Sequence, residues 1–500
     1  MGYLFALFVL ASANANTLHM SLTSEPPTFD WSGQVTMTGA PIVVNLCEGL
    51  FEFEPTSEKF IQAIAKSVTK SKDLTEYTFK IRDNAKWSDG REIYAKDFVD
   101  AWQRVLSPQT TSIYSYYLFT IANAKEYNSK EIRDFDQVGV HAIGDKTLVV
   151  KLNHPQKNWE FTTSFWPLFP VRKDLIEKYG NNWWKAGTLV TSGPFILKSL
   201  EPGKKAILER NPFYRKTLSN VDKVEIDFVL DQKEGIKKFK EKYYPFINIT
   251  GMDNDFDQKD YHLIPMLRHY VIITNTKKFP FNNKYFRLAV LSSINRDSLI
   301  PDKNQQFTKA MGLIPPPLFP NNEDLSVPYN PEKAKEYLKK SNILIGKSTS
   351  IYFLNYIYEP YFSFSKKIAS QIESTFGVLV NNLAYQNEEY EVHSRLREYD
   401  MLIESWTAKI RNPQDFLIPY SSEYSSNNRS FFSNNEYDQA IDHEDFKKAQ
   451  LIISQENGVI YPIFFEKTGY LSHNNIKNLH FDYKGNVLLK DIILTNKSSK

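Results

Sequence analysis

The residues best suited to ligand chemistry in this 500-residue chain follow a short apolar run at positions 401–403. Trp406, Lys409 and Arg411 supply an aromatic ring and two cations, and Pro413 restricts the backbone after them. If residues 401–403 form a strand of an open α/β sheet, this segment lies at its carboxyl end, where such sheets bind ligands. We interpret it as a ligand contact; the alternative is a surface loop with Trp406 in the core and the charges in water.

Patterns typical of enzymes and metal sites are missing. The chain contains no H-E-x-x-H, paired C-x-x-C, G-x-S-x-G, G-x-x-x-x-G-K-[ST] or G-x-G-x-x-G. His262 and His269 have no third metal ligand nearby, and Glu388–Glu389 is a charge cluster of the kind usually found on a solvated face. We predict no enzyme activity, no catalytic residue, no metal and no cofactor.

The elements that would position the candidate segment follow a strand, helix and strand pattern. Residues 351–354 read as a strand, and apolar residues recur every four positions from Phe364 to Phe376 before Gly377, an expected helix stop. Residues 378–380 begin another strand. This order implies parallel pairing with a right-handed crossover. Upstream, Asn330-Pro331-Glu332 predicts a helix start.

The first third of the chain predicts a second α/β unit. Tyr77, Phe79 and Ile81 alternate as in a strand, residues 94–106 show helical spacing, and residues 147–152 read as another strand.

Composition excludes several classes of protein. The 61 Lys+Arg residues nearly balance 58 Asp+Glu, which argues against a nucleic-acid or polybasic membrane role. A hydrophobic content of 42% excludes disorder, and the length suggests about two to four domains. Cys47 is the only cysteine, so no intrachain disulfide is possible, and we expect it to be a small buried residue.

The first 15 residues predict export. Residues 3–10 are apolar and uncharged, and Ala13 and Ala15 offer signal-peptidase sites. No later segment is long and apolar enough to span a bilayer, and no lipid-anchoring cysteine follows the apolar run. We predict a signal peptide at 1–15 and a soluble mature protein.

Short segments that occur in order along most of the chain carry a resemblance. They are SEPPTFD at 24–30, EGL at 48–50, NAKWSDG at 84–90, DFV at 97–99, WQR at 102–104, TSIY at 111–114, SGPF at 192–195, ERNP at 209–212 and INRD at 294–297. With these segments the sequence resembles the oligopeptide- and dipeptide-binding proteins of ABC importers, solute-binding protein family 5.

The resemblance implies an α/β fold: a two-lobed, type II-like periplasmic binding protein with an additional inserted α/β domain and a hinge between the lobes. Lobe I would be discontinuous, comprising residues 16–50, 187–272 and 478–500. Lobe II, the inserted domain, would comprise 51–186, and lobe III would comprise 273–477. The lobes would close over an extended peptide by a hinge motion.

One position departs from the family pattern. In that family a W-x-x-D-Y-x-x-P segment supplies an aspartate that pairs with the peptide's α-ammonium group. Here Trp406 and Pro413 keep the spacing, but Lys409 stands at the aspartate position and Ile410 at the tyrosine position. Two ammonium groups repel each other, so ordinary free-amine peptide binding in that geometry is not expected.

We therefore expect Lys409 to contact an anionic or N-blocked ligand group. The alternative is that Lys409 pairs with Asp415, Glu404 or Glu48, or lies in solvent. The predicted ligand-binding residues are Lys409, Trp406, Ser405, Ile410, Tyr114 and Glu48.

The function that follows is capture of peptides or peptide-like ligands in an interlobe cleft and delivery to an ABC importer. The expected partners are the small ligand and the permease subunits in the inner membrane, with no nucleic acid; the protein would be periplasmic and monomeric. The alternatives are a binding module that presents its ligand to a sensor and a secreted hydrolase.

Overall fold

The computed structural model describes residues 16–33, 38–217, 220–229, 231–249, 256–300, 305–422 and 428–495. Within them the chain divides into two compact units. Unit 1 comprises residues 16–248, 256–261 and 470–495, and unit 2 comprises residue 249 and residues 262–469. The predicted signal peptide, residues 1–15, lies outside the described residues. The mixed α/β class is confirmed, and the division into three lobes stays a prediction.

The strands are β1 (Thr17–Leu22), β2 (Phe51–Glu54), β3 (Lys59–Gln62), β4 (Ala65–Lys70), β5 (Glu76–Ile81), β6 (Val140–Ile143), β7 (Thr147–Lys151), β8 (Phe195–Glu201), β9 (Lys205–Arg210), β10 (Lys223–Phe228), β11 (Phe246–Ile249), β12 (Tyr261–Thr274), β13 (Phe307–Lys309), β14 (Ser350–Tyr356), β15 (Leu379–Tyr385), β16 (Met401–Thr407), β17 (Ile460–Ser472), β18 (Ile476–Lys477) and β19 (Ile493–Leu494). The α-helices are α1 (Ala40–Leu46), α2 (Ala95–Leu106), α3 (Ala124–Asn128), α4 (Lys173–Tyr179), α5 (Gln232–Lys240), α6 (Lys284–Ser292), α7 (Pro331–Ser341), α8 (Tyr361–Phe376), α9 (Asn387–Arg395), α10 (Asn435–Asp442) and α11 (Phe446–Gln450). None of these helices has both the length and the apolar character that crossing a membrane requires.

Unit 1 contains two four-stranded sheets. One has the order β1-β10-β9-β8, in which β1 pairs with β10 in parallel and the other pairs are antiparallel. The other is antiparallel with the order β4-β5-β7-β6. The alternating residues Tyr77, Phe79 and Ile81 are buried as predicted, because successive side chains of a strand point to opposite faces.

Several segments that carry the resemblance hold the scaffold of unit 1 together. The Asp97 carboxylate accepts hydrogen bonds from Trp87 Nε1 (3.0 Å) and from Arg91 Nη2 (2.6 Å). Arg104 donates two parallel hydrogen bonds of 2.6 Å to the Asp30 carboxylate, the geometry that a planar guanidinium favours. These aromatic and charged residues stabilise the fold of unit 1. The segments that carry the resemblance are therefore largely structural.

Gly49 and Cys47 also serve packing. A Cβ at position 49 would lie 2.0 Å from the carbonyl oxygen of Thr163, so only glycine fits. Cys47 is buried, as predicted, and burial raises the pKa of its thiol to about 12.

Unit 2 contains a mixed sheet with the order β17-β12-β16-β14-β15, and β13 also pairs with β17. The predicted strand, helix and strand are β14, α8 and β15, and the two strands pair in parallel. Asn330 caps α7 by accepting a bond from the Lys333 amide (2.9 Å), and α8 ends at Gly377 with φ +66°. These predictions are confirmed.

Candidate functional site

The predicted segment lies at the carboxyl end of β16, on the edge where parallel strands β14, β15 and β16 all end. Ser405 and Trp406 belong to β16, and Lys409 and Ile410 follow it; all four are partly buried. The strand is longer than the predicted residues 401–403 because it pairs with β12 as far as Thr407. The position agrees with the general location of ligand sites in α/β sheets.

Lys409 is held beside Trp406. Its Nζ donates to the carbonyl oxygen of Thr407 (2.9 Å) and lies 4.8 Å from the centre of the Trp406 ring system. Both of these groups are uncharged, and an aromatic face attracts a cation through its quadrupole. This part of the strand end therefore presents an ammonium group supported by a ring and a carbonyl.

Asp415 organises the turn through neutral donors. Its Oδ2 accepts bonds from the backbone amide of Lys409 (2.6 Å) and from Trp406 Nε1 (3.2 Å). Asp415 is buried, so these bonds replace the water that it loses. The carboxylate fixes both the aromatic ring and the start of the turn that carries Lys409.

Glu404 and Glu48, the other predicted partners of Lys409, both have arginine partners. Glu404 accepts a bond from Arg429 Nη1 (2.7 Å), and Glu48 is bonded by Arg215. Burial raises the pKa of Glu404, and Arg429 opposes the rise.

Arg429 joins two elements beside the site. Its Nη1 contacts Glu404 of β16, and its Nη2 donates to both oxygens of Glu391 of α9 at 2.9 Å. The guanidinium also lies 5.5 Å from the centre of the Tyr390 ring. One arginine thus holds two carboxylates from different elements.

A second arginine, Arg268 of β12, lies next to the end of β16. Its Nε donates to Thr407 Oγ1 (2.7 Å) and its Nη1 to Glu466 Oε2 (2.9 Å). Tyr270 also donates to Glu466 Oε2 (3.1 Å). On the adjoining strand end, the hydroxyl of Ser405 hydrogen-bonds to that of Tyr361 (2.7 Å).

Our sequence reasoning did not identify Arg268, Arg429, Glu391 or Glu466. A signal for two of them was present: Arg268 and Glu466 interrupt apolar runs that read as buried strands. A charged residue in such a run requires a partner. No sequence spacing links Arg429 to Glu391, because the two are brought together only by the fold.

His269 pairs with Trp406 across the two strands and lies buried beneath the site. Its Nδ1 donates to the Leu313 carbonyl (2.6 Å), and Tyr420 OH lies 3.4 Å from Nε2. Burial lowers the pKa of His269 to about 4. The imidazole is therefore neutral near pH 7, as in an ordinary hydrogen-bonded histidine.

This buried imidazole predicts a pH-dependent stability. A lowered folded-state pKa contributes stability that is complete above the unfolded value of 6.5 and is lost as the pH falls towards about 4. His269→Asn does not titrate, so from about pH 7 to pH 4.5 wild type should lose up to about 3 kcal/mol of unfolding free energy relative to this variant. Urea unfolding at both pH values measures the difference, and a pH-independent difference would contradict the prediction.

In unit 1, Glu48 is buried and bonded by Tyr214 and Arg215. Burial raises the pKa of Tyr214, and the negative charge of Glu48 adds to the rise. The pKa of Arg215 is raised because its carboxylate and phenol neighbours outweigh burial. Glu48 is therefore an acceptor in a charged network of the scaffold, and its contact with ligand stays a prediction.

Tyr214, which bonds to Glu48, lines a cavity of about 510 Å³ together with Glu52, Lys216 and Lys490. Glu52 is bonded by both lysines. Burial raises the pKa of Glu52, but the two cations reverse this, so the net direction is downward. The carboxylate of Glu52 is therefore paired with two lysine ammonium groups in the lining of the cavity.

Tyr114 is buried in an aromatic cluster. Its ring meets Phe165 edge-on at 5.2 Å and Trp166 at 6.0 Å. Lys484 Nζ lies 5.0 Å and 5.1 Å from these same two rings. Core packing therefore explains the position of Tyr114, and a role in ligand binding stays a prediction.

Over residues 16–495, leaving aside the undescribed gaps, no cluster of three or more His, Cys, Asp or Glu is arranged to hold a metal ion. The strand end of unit 2 offers two cations, an aromatic face and hydroxyl groups. Such a set can bind and orient a polar ligand.

Comparison with known proteins agrees with this architecture. A model of the family described as bacterial extracellular solute-binding proteins, family 5 (middle), matches residues 59–428. The oligopeptide-binding protein OppA of Bacillus subtilis (strain 168) is 25% identical, and the alignment covers 96% of this chain and 93% of that protein.

Two solved structures share the fold along nearly the whole chain. The substrate-binding domain of an oligopeptide ABC transporter from Bacillus anthracis str. Ames is 26% identical, with a TM-score of 0.82 and coverage of 97% of this chain and 99% of that one. The pheromone receptor PrgZ, solved for its mode of peptide binding, is 26% identical, with a TM-score of 0.83 and coverage of 96% and 100%. Because the family model spans most of the sequence, the chain belongs to the bacterial extracellular solute-binding proteins, family 5.

Proposed function

We propose that this protein captures peptides or peptide-like ligands outside the cytoplasm and delivers them to an ABC importer. The observation that carries the proposal is the full-length similarity to an oligopeptide-binding protein, which covers 96% of this chain. The solved relative described as the substrate-binding domain of an oligopeptide ABC transporter supports the transport role. The ligand site would lie at the carboxyl end of β16.

The chemistry of this strand end suits a peptide. Peptide-binding proteins commonly recognise an extended backbone through main-chain hydrogen bonds and accept side chains in adjoining pockets. Trp406 would contact the ligand through its ring, Ser405 and Ile410 through the strand end, and Lys409 through its charge. A role of Tyr114 and of Glu48 in ligand binding stays a prediction.

The charge of Lys409 restricts which ligand group can bind beside it. Its ammonium lies against the Trp406 ring and the Thr407 carbonyl, where the family resemblance implies an aspartate. A ligand's α-ammonium placed here would meet a positive charge. The ligand group at this position would therefore be anionic or N-blocked.

The remaining features follow from the same proposal. The partners would be the ligand and the permease subunits in the inner membrane, and no nucleic acid would bind because the formal charge is only +3. The chain would be a monomer, exported by the signal peptide at 1–15 to the periplasm. It would bind its ligand without converting it, and hydrolysis of a bound peptide would contradict this.

Presentation of the ligand to a sensor is a second candidate. It is favoured by one relative, PrgZ, which is described as a pheromone receptor. Loss of peptide uptake on deletion of the gene would support transport. Unchanged uptake with loss of a transcriptional response would support sensing.

Thermal unfolding in the presence of ligand libraries tests binding itself. A ligand that binds only the folded state at about 100 times its Kd should add about 2.7 kcal/mol to the unfolding free energy and raise the midpoint. We expect a rise with at least one peptide pool among free-amine, N-acetylated and acidic pools. No rise with any peptide or anion pool would overturn the proposed function.

A further inference from the structure

Arg268 has one hydrogen-bonding edge that protein groups leave open. Its Nε is used by Thr407 and its Nη1 by Glu466. Across the described part of the chain, no acceptor hydrogen-bonds to Nη2. The side chain is 31% exposed, so a ligand can reach the guanidinium.

Arg429, in the same unit, uses both of its terminal nitrogens to bind carboxylates. It binds one carboxylate, Glu404, through Nη1 and a second, Glu391, through Nη2 at 2.9 Å. Arg268 also binds one carboxylate, that of Glu466, through Nη1, but no carboxylate among the described residues bonds to its Nη2. Arg268 therefore has one carboxylate partner fewer than Arg429.

Thr407 ties Arg268 to the predicted site. Its Oγ1 accepts from Arg268 Nε (2.7 Å), and its carbonyl oxygen accepts from Lys409 Nζ (2.9 Å). Because Arg268 and Lys409 both donate to Thr407, this one residue links the two cations. Glu466 accepts a bond from the guanidinium and a second one from Tyr270, so the arginine is held in place before any ligand arrives.

We propose that Arg268 and Lys409 together form a carboxylate subsite at the end of β16, with the ligand carboxylate on the Nη2 edge of Arg268. The proposal rests on the proposed function and names the ligand group. A guanidinium is suited to this role because its planar fork matches a carboxylate. The carboxylate is either the C-terminus of a peptide or an acidic group near a blocked N-terminus.

Three tetrapeptide mixtures separate these possibilities. The first is N-acetylated with a free C-terminal carboxylate, the second is N-acetylated with a C-terminal amide, and the third is N-succinylated with a C-terminal amide. Mass spectrometry measures which peptides stay with the protein after gel filtration. We expect wild type to retain the first or the third mixture at least about tenfold better than the second.

Arg268→Gln should abolish this preference, since it removes the charge but keeps a donor towards Thr407. Arg268→Lys keeps the charge without the planar fork and should show an intermediate preference. Arg395→Gln makes the same charge change at an exposed position of α9 and should behave as wild type. Unfolding curves establish which variants are folded. If Arg268→Gln does not fold, the comparison is made with Arg268→Lys.

The outcomes also distinguish this inference from the proposed function. Preference for the first mixture assigns the carboxylate to the C-terminus, and preference for the third assigns it to the N-terminal end. Equal retention of all three mixtures, or a preference unchanged in folded Arg268 variants, would overturn the carboxylate subsite while peptide capture stands. Retention of no mixture by wild type would overturn the carboxylate subsite, and it would overturn peptide capture as well if no peptide pool raises the unfolding midpoint.

Discussion

Arg429→Met is expected to lower the free energy of unfolding by about 3 kcal/mol or more. The substitution preserves much of the side-chain volume but leaves two carboxylates without their cation. Glu404, with a side chain only 14% exposed, bears most of the cost because its charge would remain largely buried and uncompensated. Chemical denaturation followed by tryptophan fluorescence measures the change.

Two further variants isolate the cause. Adding Glu404→Gln to Arg429→Met removes the unpaired charge and should restore part of the lost stability. Lys333→Met breaks an ion pair with Glu336 whose partners are 44% and 60% exposed, and it should leave the unfolding midpoint nearly unchanged. An Arg429→Met protein as stable as the Lys333→Met control would show that the paired carboxylates do not depend on Arg429.

Lys409→Asp is expected to reverse the preference between blocked and free peptide N-termini. Wild type should favour N-acetylated over free-amine peptides, because the ammonium of Lys409 repels a second ammonium. An aspartate at this position would attract it, so the ratio of the two Kd values should change by at least about tenfold, or about 1.4 kcal/mol. Calorimetric titration with the same peptide in both forms measures the ratio.

Two controls separate a local contact from net charge. Lys409→Gln removes the charge without inverting it and should give an intermediate ratio. Lys335→Asp makes the same charge change as Lys409→Asp on the exposed face of α7 and should keep the wild-type ratio. If Lys409→Asp binds both peptide forms as wild type does, Lys409 does not contact the ligand.

Much of the fold was predictable from local signals. The four-residue spacing of Phe364, Ile368 and Ile372 before Gly377 correctly predicted α8, and the Asn330-Pro331 pair correctly predicted the start of α7. These signals are local because a helix and its caps use residues that are close in sequence. The parallel pairing of β14 with β15 followed from the order of elements alone.

The charged networks were less predictable. Arg429 meets Glu391 and Glu404, which lie 38 and 25 positions away in the sequence, and no spacing rule covers such pairs. The end of β16 was placed four residues too early because Glu404 and Thr407 are polar, and their pairing with β12 outweighs that polarity. Long-range contacts therefore decide the details of the site, while local patterns decide the elements.

Mass spectrometry of the ligand that stays with the protein after purification from its native host tests the central claim most directly. We expect an intact peptide or peptide-like compound with a blocked N-terminus or a carboxylate available to Lys409. The same compound should be lost on denaturation and should raise the unfolding midpoint when it is added back. A retained compound with no peptide character, or a peptide that the protein cleaves, would contradict the claim.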